Sequence, residues 1–186
     1  MAVCASGYSH CLFLDSLASV WSCGNNPYGG LGLGHSTNKL TPEKINNLPP
    51  IISISAGYQF SLFVDANGSV WSCGYNADGQ LGLGDVNDRN IPEQIKNLPA
   101  IKSALALGTS SLFLDCEGSV WSCGYNGHGE LGLGDTTHRN KAEKIQGLPA
   151  IKSMAGGYNH ALFKLQKRKM KFCLKVLESG KLMKKN

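Results

Sequence analysis

One sequence unit recurs along the chain with a period of 50 residues, and no insertion or deletion interrupts the three complete copies. The string Val-Trp-Ser-Cys-Gly begins at residues 20, 70 and 120, and Leu-Gly-Leu-Gly begins at residues 31, 81 and 131. A fixed period of this length is typical of repeat architectures, in which each unit buries its apolar faces against its neighbours. The fold must therefore be built from similar units placed side by side.

The second copy shows the secondary structure of a unit most clearly. Four segments have the apolar or β-branched pattern of short strands, at residues 51–56, 61–65, 69–73 and 92–95. Asp-Ala-Asn-Gly at 65–68 predicts a hairpin turn, because Asn-Gly tolerates the positive φ of a two-residue loop. A long glycine-rich loop follows over 74–88. Four strands in one such unit are typical of a β-propeller blade.

A fourth unit begins and then decays. Leu162-Phe163 fits its repeat position, but Lys171 and Leu174 stand where the earlier units have tryptophan and glycine. We therefore predict an all-β fold, an incomplete β-propeller of three four-stranded blades plus a degenerate partial fourth, shaped as an open crescent. The repeats are predicted to span 1–163, with units near 1–50, 51–100 and 101–150. An open crescent leaves uncovered β edges, which predicts self-association through them.

The end of the chain differs in charge from the rest. Residues 164–186 carry nine Lys and Arg against one acid, a net +8, whereas residues 1–163 are at −3. This segment is either the basic end of the fourth repeat, with a strand pair at 162–165 and 170–174, or a solvated tail. Its charge predicts nucleic-acid binding through phosphates as an alternative function. No apolar stretch is long enough to span a membrane, and no signal peptide precedes the repeats, so we expect a cytoplasmic or nuclear location.

Several motifs give little support for a disulfide framework, a metal site, a phosphate-binding loop or a catalytic site. Seven cysteines, an odd number without a Cys-x-x-Cys pair, predict reduced and mostly buried thiols. Cys23, Cys73 and Cys123 fall one to a blade, so they do not converge on a metal. The glycine-rich loop occurs three times and no Lys-Ser/Thr follows it, which is unlike a phosphate loop. His10 and His160 are predicted to be structural, so we expect no catalytic residue, cofactor or metal.

The second unit resembles the regulator of chromosome condensation repeat family. The matching residues are Asp65, Gly68, Val70, Trp71, Gly74, Asn76, Gly79, Gln80, Leu81, Gly82, Leu83, Gly84, Pro92 and Ile95. The resemblance implies a propeller, seven-bladed in typical members, and a Ran- or Rab-type small GTPase as partner. Nucleotide exchange in the family implies a wedge-like insertion. The uninterrupted 50-residue spacing leaves no room for one, so we predict no exchange activity.

Two sets of residues are singled out. Loops on a rigid scaffold carry binding residues, and Tyr and Arg are favoured at binding hot spots. The predicted partner-binding set is Tyr75, Asp85, Asp88, Arg89, Tyr125, Asp135, His138 and Arg139. The predicted structural set is Trp21, Trp71, Trp121, Gly74, Gly82, Gly84, Gly124, Gly132 and Gly134, with the three tryptophans expected as buried blade cores.

Three functions are consistent with this sequence. The first is a non-catalytic protein–protein interaction module, a regulator of a small GTPase by resemblance. The second is a chromatin or nucleic-acid associated module acting through residues 164–186. The third is a truncated fragment of a longer propeller without independent activity.

Overall fold

A computed structural model of the 186-residue chain describes residues 3–158 and 160–166. This part of the chain consists of β-strands joined by turns and loops. Its fourteen strands are β1 (Val3–Ser6), β2 (His10–Leu14), β3 (Val20–Gly24), β4 (Lys39–Lys44), β5 (Ile51–Ala56), β6 (Phe60–Asp65), β7 (Val70–Gly74), β8 (Arg89–Gln94), β9 (Ile101–Ala106), β10 (Ser110–Asp115), β11 (Val120–Gly124), β12 (Arg139–Lys144), β13 (Ile151–Gly156) and β14 (Ala161–Leu165).

Strands that follow one another in sequence pair antiparallel and form separate sheets. Strands β1–β4, β5–β8 and β9–β12 make three four-stranded sheets, here called blades 1, 2 and 3, and β13 pairs with β14 as a half-blade. The described sheets form an open arc and do not close into a ring. The predicted all-β, incomplete propeller is confirmed. The predicted strand at 170–174, like the rest of the basic segment beyond Gln166, lies outside the described residues.

The turn between the second and third strands of a blade is held by one aspartate. Asp65 Oδ1 accepts the backbone N–H groups of Asn67 and Ser69, both at 2.9 Å, and Asp65 Oδ2 accepts the indole N–H of Trp71 at 3.2 Å. Gly68 has φ of 80°, a left-handed conformation that glycine adopts without steric cost. The predicted hairpin turn is therefore present, and its carboxylate also fixes the orientation of the tryptophan.

The apolar core lies in the seams between blades. Phe63 of blade 2 packs with Leu12 and Val20 of blade 1 in one cluster. Phe113 of blade 3 packs in a second cluster with Leu62 and Val64 of blade 2. A third cluster joins blade 3 to the half-blade. Each sheet is thus buried by its neighbours, as the repeat pattern predicts.

The prediction that the tryptophans are substantially buried holds for Trp71 and Trp121, which pack against the seam clusters, and is wrong for Trp21. Trp21 is 36% exposed, and Trp71 and Trp121 are only partly buried. In blades 2 and 3 the phenylalanine opposite the tryptophan lies deeper in the seam, and Phe63 and Phe113 are fully buried. The reason is the indole N–H, which bonds to an aspartate at the solvent-facing turn and keeps the ring at the rim of the seam.

The cysteines also depart from expectation. Only Cys73 and Cys123 are buried among the described ones, and burial raises the pKa of both thiols. Cys4 and Cys116 are exposed. The prediction of mostly buried thiols is therefore wrong for Cys4 and Cys116, and Cys11 and Cys23 are only partly buried.

One histidine links two blades. His10, 3% exposed, places Nε2 3.0 Å from Ser61 Oγ, and that hydroxyl donates to the Gly30 carbonyl at 2.7 Å. Burial lowers the pKa of His10 to about 4. Because Ser61 is buried and its proton is committed to a carbonyl, the pair stabilises the seam between blades 1 and 2 and does not act as a nucleophile and base.

The seam arrangement predicts a large difference between two neighbouring aromatic residues. Phe63→Ala should lower the free energy of unfolding by about 3–5 kcal/mol, because it opens a cavity in a fully buried cluster. Trp71→Phe should cost only about 1 kcal/mol, mainly the hydrogen bond to Asp65. Urea unfolding of both variants measures this, and a larger loss in Trp71→Phe would contradict the assignment of the core.

The buried histidine predicts a loss of stability in mild acid. The unfolded chain protonates His10 near its ordinary pKa of 6.5, whereas the folded chain resists protonation down to about 4, so protons favour the unfolded state in that interval. Stability should fall by about 3 kcal/mol as the pH drops from 6.5 to 4. His10→Phe should remove this part of the pH dependence, since Phe60 fills the equivalent position in blade 2. The exposed His128→Gln is the control, and an unchanged pH profile in His10→Phe would refute the assignment.

Candidate interaction face

Two kinds of loop meet at the same end of every blade. Antiparallel pairing puts the turn after the first strand beside the long loop after the third strand. The backbone N–H groups of Tyr75 and Tyr125 in the long loops donate to the carbonyls of Gln59 and Thr109 in the short turns, at 3.0 and 2.9 Å. We call this end the loop face; it comprises residues 7–9, 25–38, 57–59, 75–88, 107–109 and 125–138.

A buried asparagine organises each long loop. In blade 2, Asn76 is 0% exposed and its Nδ2 donates to the carbonyls of Asp85 and Asn87 at 3.1 and 2.9 Å. Its Oδ1 accepts the N–H of Leu81 at 2.9 Å, and its own N–H donates to Asp88 Oδ1 at 2.8 Å. Asn26 and Asn126 repeat this arrangement in blades 1 and 3. The sequence comparison between repeats included Asn76 but did not show that it holds the loop.

The predicted arginines form ion pairs within their own blades. Arg89 Nη2 lies 2.7 Å from Asp85 Oδ2, and Arg89 Nε lies 2.8 Å from Glu93 Oε1. The hydrogen bond from Arg89 holds the pKa of Asp85 below its usual range. Arg139 makes the same pair of contacts with Asp135 and Glu143. Each cluster joins one arginine to two carboxylates and therefore carries an excess negative charge at the edge of the loop face.

Tyrosines from the first turns of blade 1, blade 2 and the half-blade form an inner arc at this end of the sheets, and the turn of blade 3 has Gly108 at the equivalent position. The Tyr8 and Tyr58 rings are 4.8 Å apart and the Tyr58 and Tyr158 rings are 6.2 Å apart, so the contacts cross from blade to blade. Tyr8 is 71% exposed and Tyr158 is 54% exposed. Behind them lies a groove of about 400 Å³ whose lining includes Gly57 and Leu107. These tyrosines were not in the predicted binding set, although their recurrence beside the turn glycine was visible in the sequence.

The predicted Tyr75, Tyr125 and His138 belong to an outer arc on the same face. Tyr75 packs on Tyr28 with ring centres 4.9 Å apart, and Tyr125 packs on His138 at 4.6 Å. Burial, followed by the nearby Asp78 carboxylate, raises the pKa of Tyr75.

The remaining polar contacts of this arc are structural or cross the blades. His138 Nδ1 accepts the backbone N–H of Asn126 at 3.0 Å, and His138 Nε2 is 4.0 Å from Asp78 Oδ1 of blade 2. The structure thus places six of the eight predicted residues on the loop face, and Arg89 and Arg139 at its edge as the first residues of β8 and β12. Among them Asp88, Asp135 and His138 are exposed, whereas Tyr75 and Tyr125 are partly buried.

The long loops are also fastened to the next blade. Gly84 donates its N–H to the Asn140 carbonyl at 2.8 Å, and Asn140 Nδ2 donates back to the Gly84 carbonyl at 3.2 Å. Gly34 and Asn90 make the equivalent pair. At Gly74, with φ of 110°, a side chain would collide with the backbone of Gln59. These constraints make the loop face a rigid platform.

The loop face combines exposed aromatic rings with a groove. Among the described residues, no group of three or more His, Cys, Asp or Glu side chains is placed to hold a metal ion. None of the described residues forms a helix long and apolar enough to cross a membrane. Rigid loops with exposed aromatic rings and a shallow groove are features of protein-binding surfaces.

The sheets and loops together define a β-propeller built from repeats that each contribute one blade. The regulator of chromosome condensation (RCC1) repeat model matches residues 18–64, 67–111 and 117–163, and a second RCC1 repeat model matches residues 51–80. The chain therefore belongs to the regulator of chromosome condensation repeat family. No curated protein sequence matches it significantly.

Solved structures show the same fold at low sequence identity. Prp20p from Saccharomyces cerevisiae, described with its binding properties to Gsp1p and histones, superimposes with a TM-score of 0.75 at 22% identity over 86% of this chain. Yeast RCC1 (Prp20) bound to Kap60 gives a TM-score of 0.77 at 21% identity over 89% of the chain. Human WBSCR16 gives 0.65 at 20% identity over 89%. The chain spans 42% of each yeast protein and 58% of the human one.

The asparagine at the centre of the long loop predicts a sharp stability difference within blade 2. Asn76→Ala should lower the free energy of unfolding by about 2–4 kcal/mol, because buried backbone groups lose their partners. Asn87→Ala, at an exposed position of the same loop, should stay within about 0.5 kcal/mol of the parent. Chemical unfolding measures both changes, and equal losses would show that Asn76 does not organise the loop.

Proposed function

We propose that this chain is a non-catalytic protein-interaction module that binds its partner through the loop face. The observation that carries the proposal is the pair of aromatic arcs, which cross the blades and present Tyr8 and Tyr28 to solvent. Tyrosine gives a large contact area at low conformational cost, since its ring has few rotatable bonds. Loops fixed by buried asparagines and blade-to-blade bonds lose little entropy on binding.

The proposed partner is a small GTPase of the Ran or Rab type. Family membership supports this class, as does the reported binding of Prp20p to Gsp1p. The charge of the loop face supports a partner with a basic surface, because the clusters around Arg89 and Arg139 each carry an excess carboxylate. Complementary charge of this kind speeds association and selects among partners.

We further propose that binding does not accelerate nucleotide exchange. The three described blades repeat the same loop lengths, and none carries an insertion that would act as a wedge. A face that binds without such an element is suited to a scaffold.

A second candidate function is binding of chromatin or nucleic acid through the basic residues 164–186. Their net charge of +8 favours phosphates, and Prp20p is described as binding histones. This function would be strongly salt-dependent, whereas aromatic docking on the loop face would be much less so.

Paired variants in blade 1 test the loop face. Tyr8→Ala with Tyr28→Ala should weaken binding to the Ran- or Rab-type GTPase by about tenfold or more, because it removes two exposed aromatic contacts. Leu17→Ala is the matched control, since Leu17 is 84% exposed at the opposite end of the same blade. Calorimetry measures affinity, and release of a fluorescent GDP analogue measures exchange, which should remain at background.

Each result has a distinct meaning. Equal weakening by Leu17→Ala would move the binding surface away from the loop face. Binding that disappears on truncation after Gln166 and with rising salt would favour the nucleic-acid or chromatin function. Clear stimulation of GDP release would overturn the scaffold proposal.

A further inference from the structure

Blades 2 and 3 share an arrangement of side chains at the seam that each forms with the preceding blade. Ser61 lies directly opposite Cys73 on the neighbouring strand, and both side chains reach the carbonyl oxygen of Gly30 in blade 1, at 2.7 and 3.6 Å. Ser111 and Cys123 reach the Gln80 carbonyl of blade 2 at the same two distances. The two side chains of this cross-strand pair therefore converge on a single atom.

Blade 1 carries two cysteines at this place. Cys11 occupies the serine position and lies directly opposite Cys23. Among the described residues no carbonyl accepts from either thiol, and Cys11 Sγ lies 3.7 Å from Ser6 Oγ on β1. Both thiols are partly exposed, whereas Cys73 and Cys123 are fully buried. The two side chains thus lie side by side on one face of blade 1, and a rotation of Cys11 about its Cα–Cβ bond, away from Ser6, brings its sulfur to Cys23.

The backbone spacing suits a bond between these two sulfurs. Residues directly opposite each other on antiparallel strands have Cα atoms about 4.5–5.5 Å apart, within the range of about 4.4–6.8 Å found for disulfides. Cys4 shares this face but lies opposite Phe13, diagonal to Cys11. Diagonal neighbours are about 7–8 Å apart, so Cys23 is the better partner for Cys11.

We propose that Cys11 and Cys23 form a redox-modification site, a dithiol that a low-molecular-weight disulfide such as oxidised glutathione converts reversibly into an intramolecular disulfide. The thiolate of one cysteine attacks the small disulfide, which forms a mixed disulfide and releases one small thiolate. The second cysteine then attacks the protein sulfur and releases the other. The protein loses two protons and two electrons, and one small disulfide becomes two small thiols.

The environment supports this order of events. Burial raises the pKa of Cys23, and the neighbouring Cys11 and Cys4 thiols add to the shift, so Cys11 is assigned the first attack. In the disulfide, neither sulfur keeps a hydrogen. Oxidation therefore leaves blade 1 without hydrogen-bond donors at the two positions where blades 2 and 3 use a serine hydroxyl and a cysteine thiol.

Digestion and mass spectrometry test the site on the full chain. A protease that cuts before aspartate separates residues 1–14 from residues 15–64, so a Cys11–Cys23 bond joins these two peptides. The test uses Cys4→Ser, which leaves one cysteine in each peptide. After incubation with oxidised glutathione, the joined peptides should appear two hydrogen masses lighter than their sum, and excess reduced glutathione should separate them again.

Two controls define the outcome. Cys11→Ser in the same background should abolish the joined species and leave at most a glutathione adduct. Ser61→Cys creates the same cross-strand pair in a covered seam, where Cys73 is fully buried, and that pair should oxidise far more slowly. Absence of the joined peptides in Cys4→Ser, or equal oxidation of the covered pair, would overturn the proposal.

Discussion

A four-stranded sheet has two faces, and in blades 2 and 3 each face is buried by packing on a neighbouring sheet. Phe63 and Phe113 illustrate the constraint, since each projects from its own sheet and is fully buried against the preceding blade. No blade carries a complete core by itself, so stability resides in the seams and depends on neighbours. Every other feature, from the turns to the loop face, is arranged around these seams.

The loop face is coupled to the seams through a single residue in each long loop. Leu81 is buried in the seam between blades 2 and 3, and its N–H is held by Asn76. Asn76 in turn holds the backbone at Asp85 and Asn87. A change in the packing of Leu81 would therefore reach the surface loop directly. This coupling explains how long glycine-rich loops, which are costly to order, are held in place and present aromatic rings to a partner.

Sequence reasoning predicted the fold because the repeat fixes the strands, and the family is visible in the same residues. It overestimated the burial of Trp21 because apolar character alone does not say how deep in a seam a large ring lies; Trp71 packs on the same face as Phe63 but is less buried. The indole N–H of Trp71 donates a hydrogen bond to the Asp65 carboxylate, and this bond keeps the ring near the turn, where it is only partly buried. The charged members of the predicted site show another limit. Arginine is a residue type favoured at binding sites, yet Arg89 is ion-paired with Asp85 and Glu93 of its own blade. Only the coordinates show this pairing.

In a repeat protein, positions that agree between units describe the fold, and positions that disagree carry what is particular to one unit. Leu40 is 99% exposed where Asn90 and Asn140 fasten their blades to the preceding one. Cys11 stands where Ser61 closes the seam. Both differences lie on the same face of blade 1. Where blades 2 and 3 have serine and asparagine side chains that donate hydrogen bonds to the preceding blade, blade 1 has Cys11 and Leu40. Structural likeness near 20% identity speaks only for the shared positions. What distinguishes this chain is therefore to be sought in its first blade.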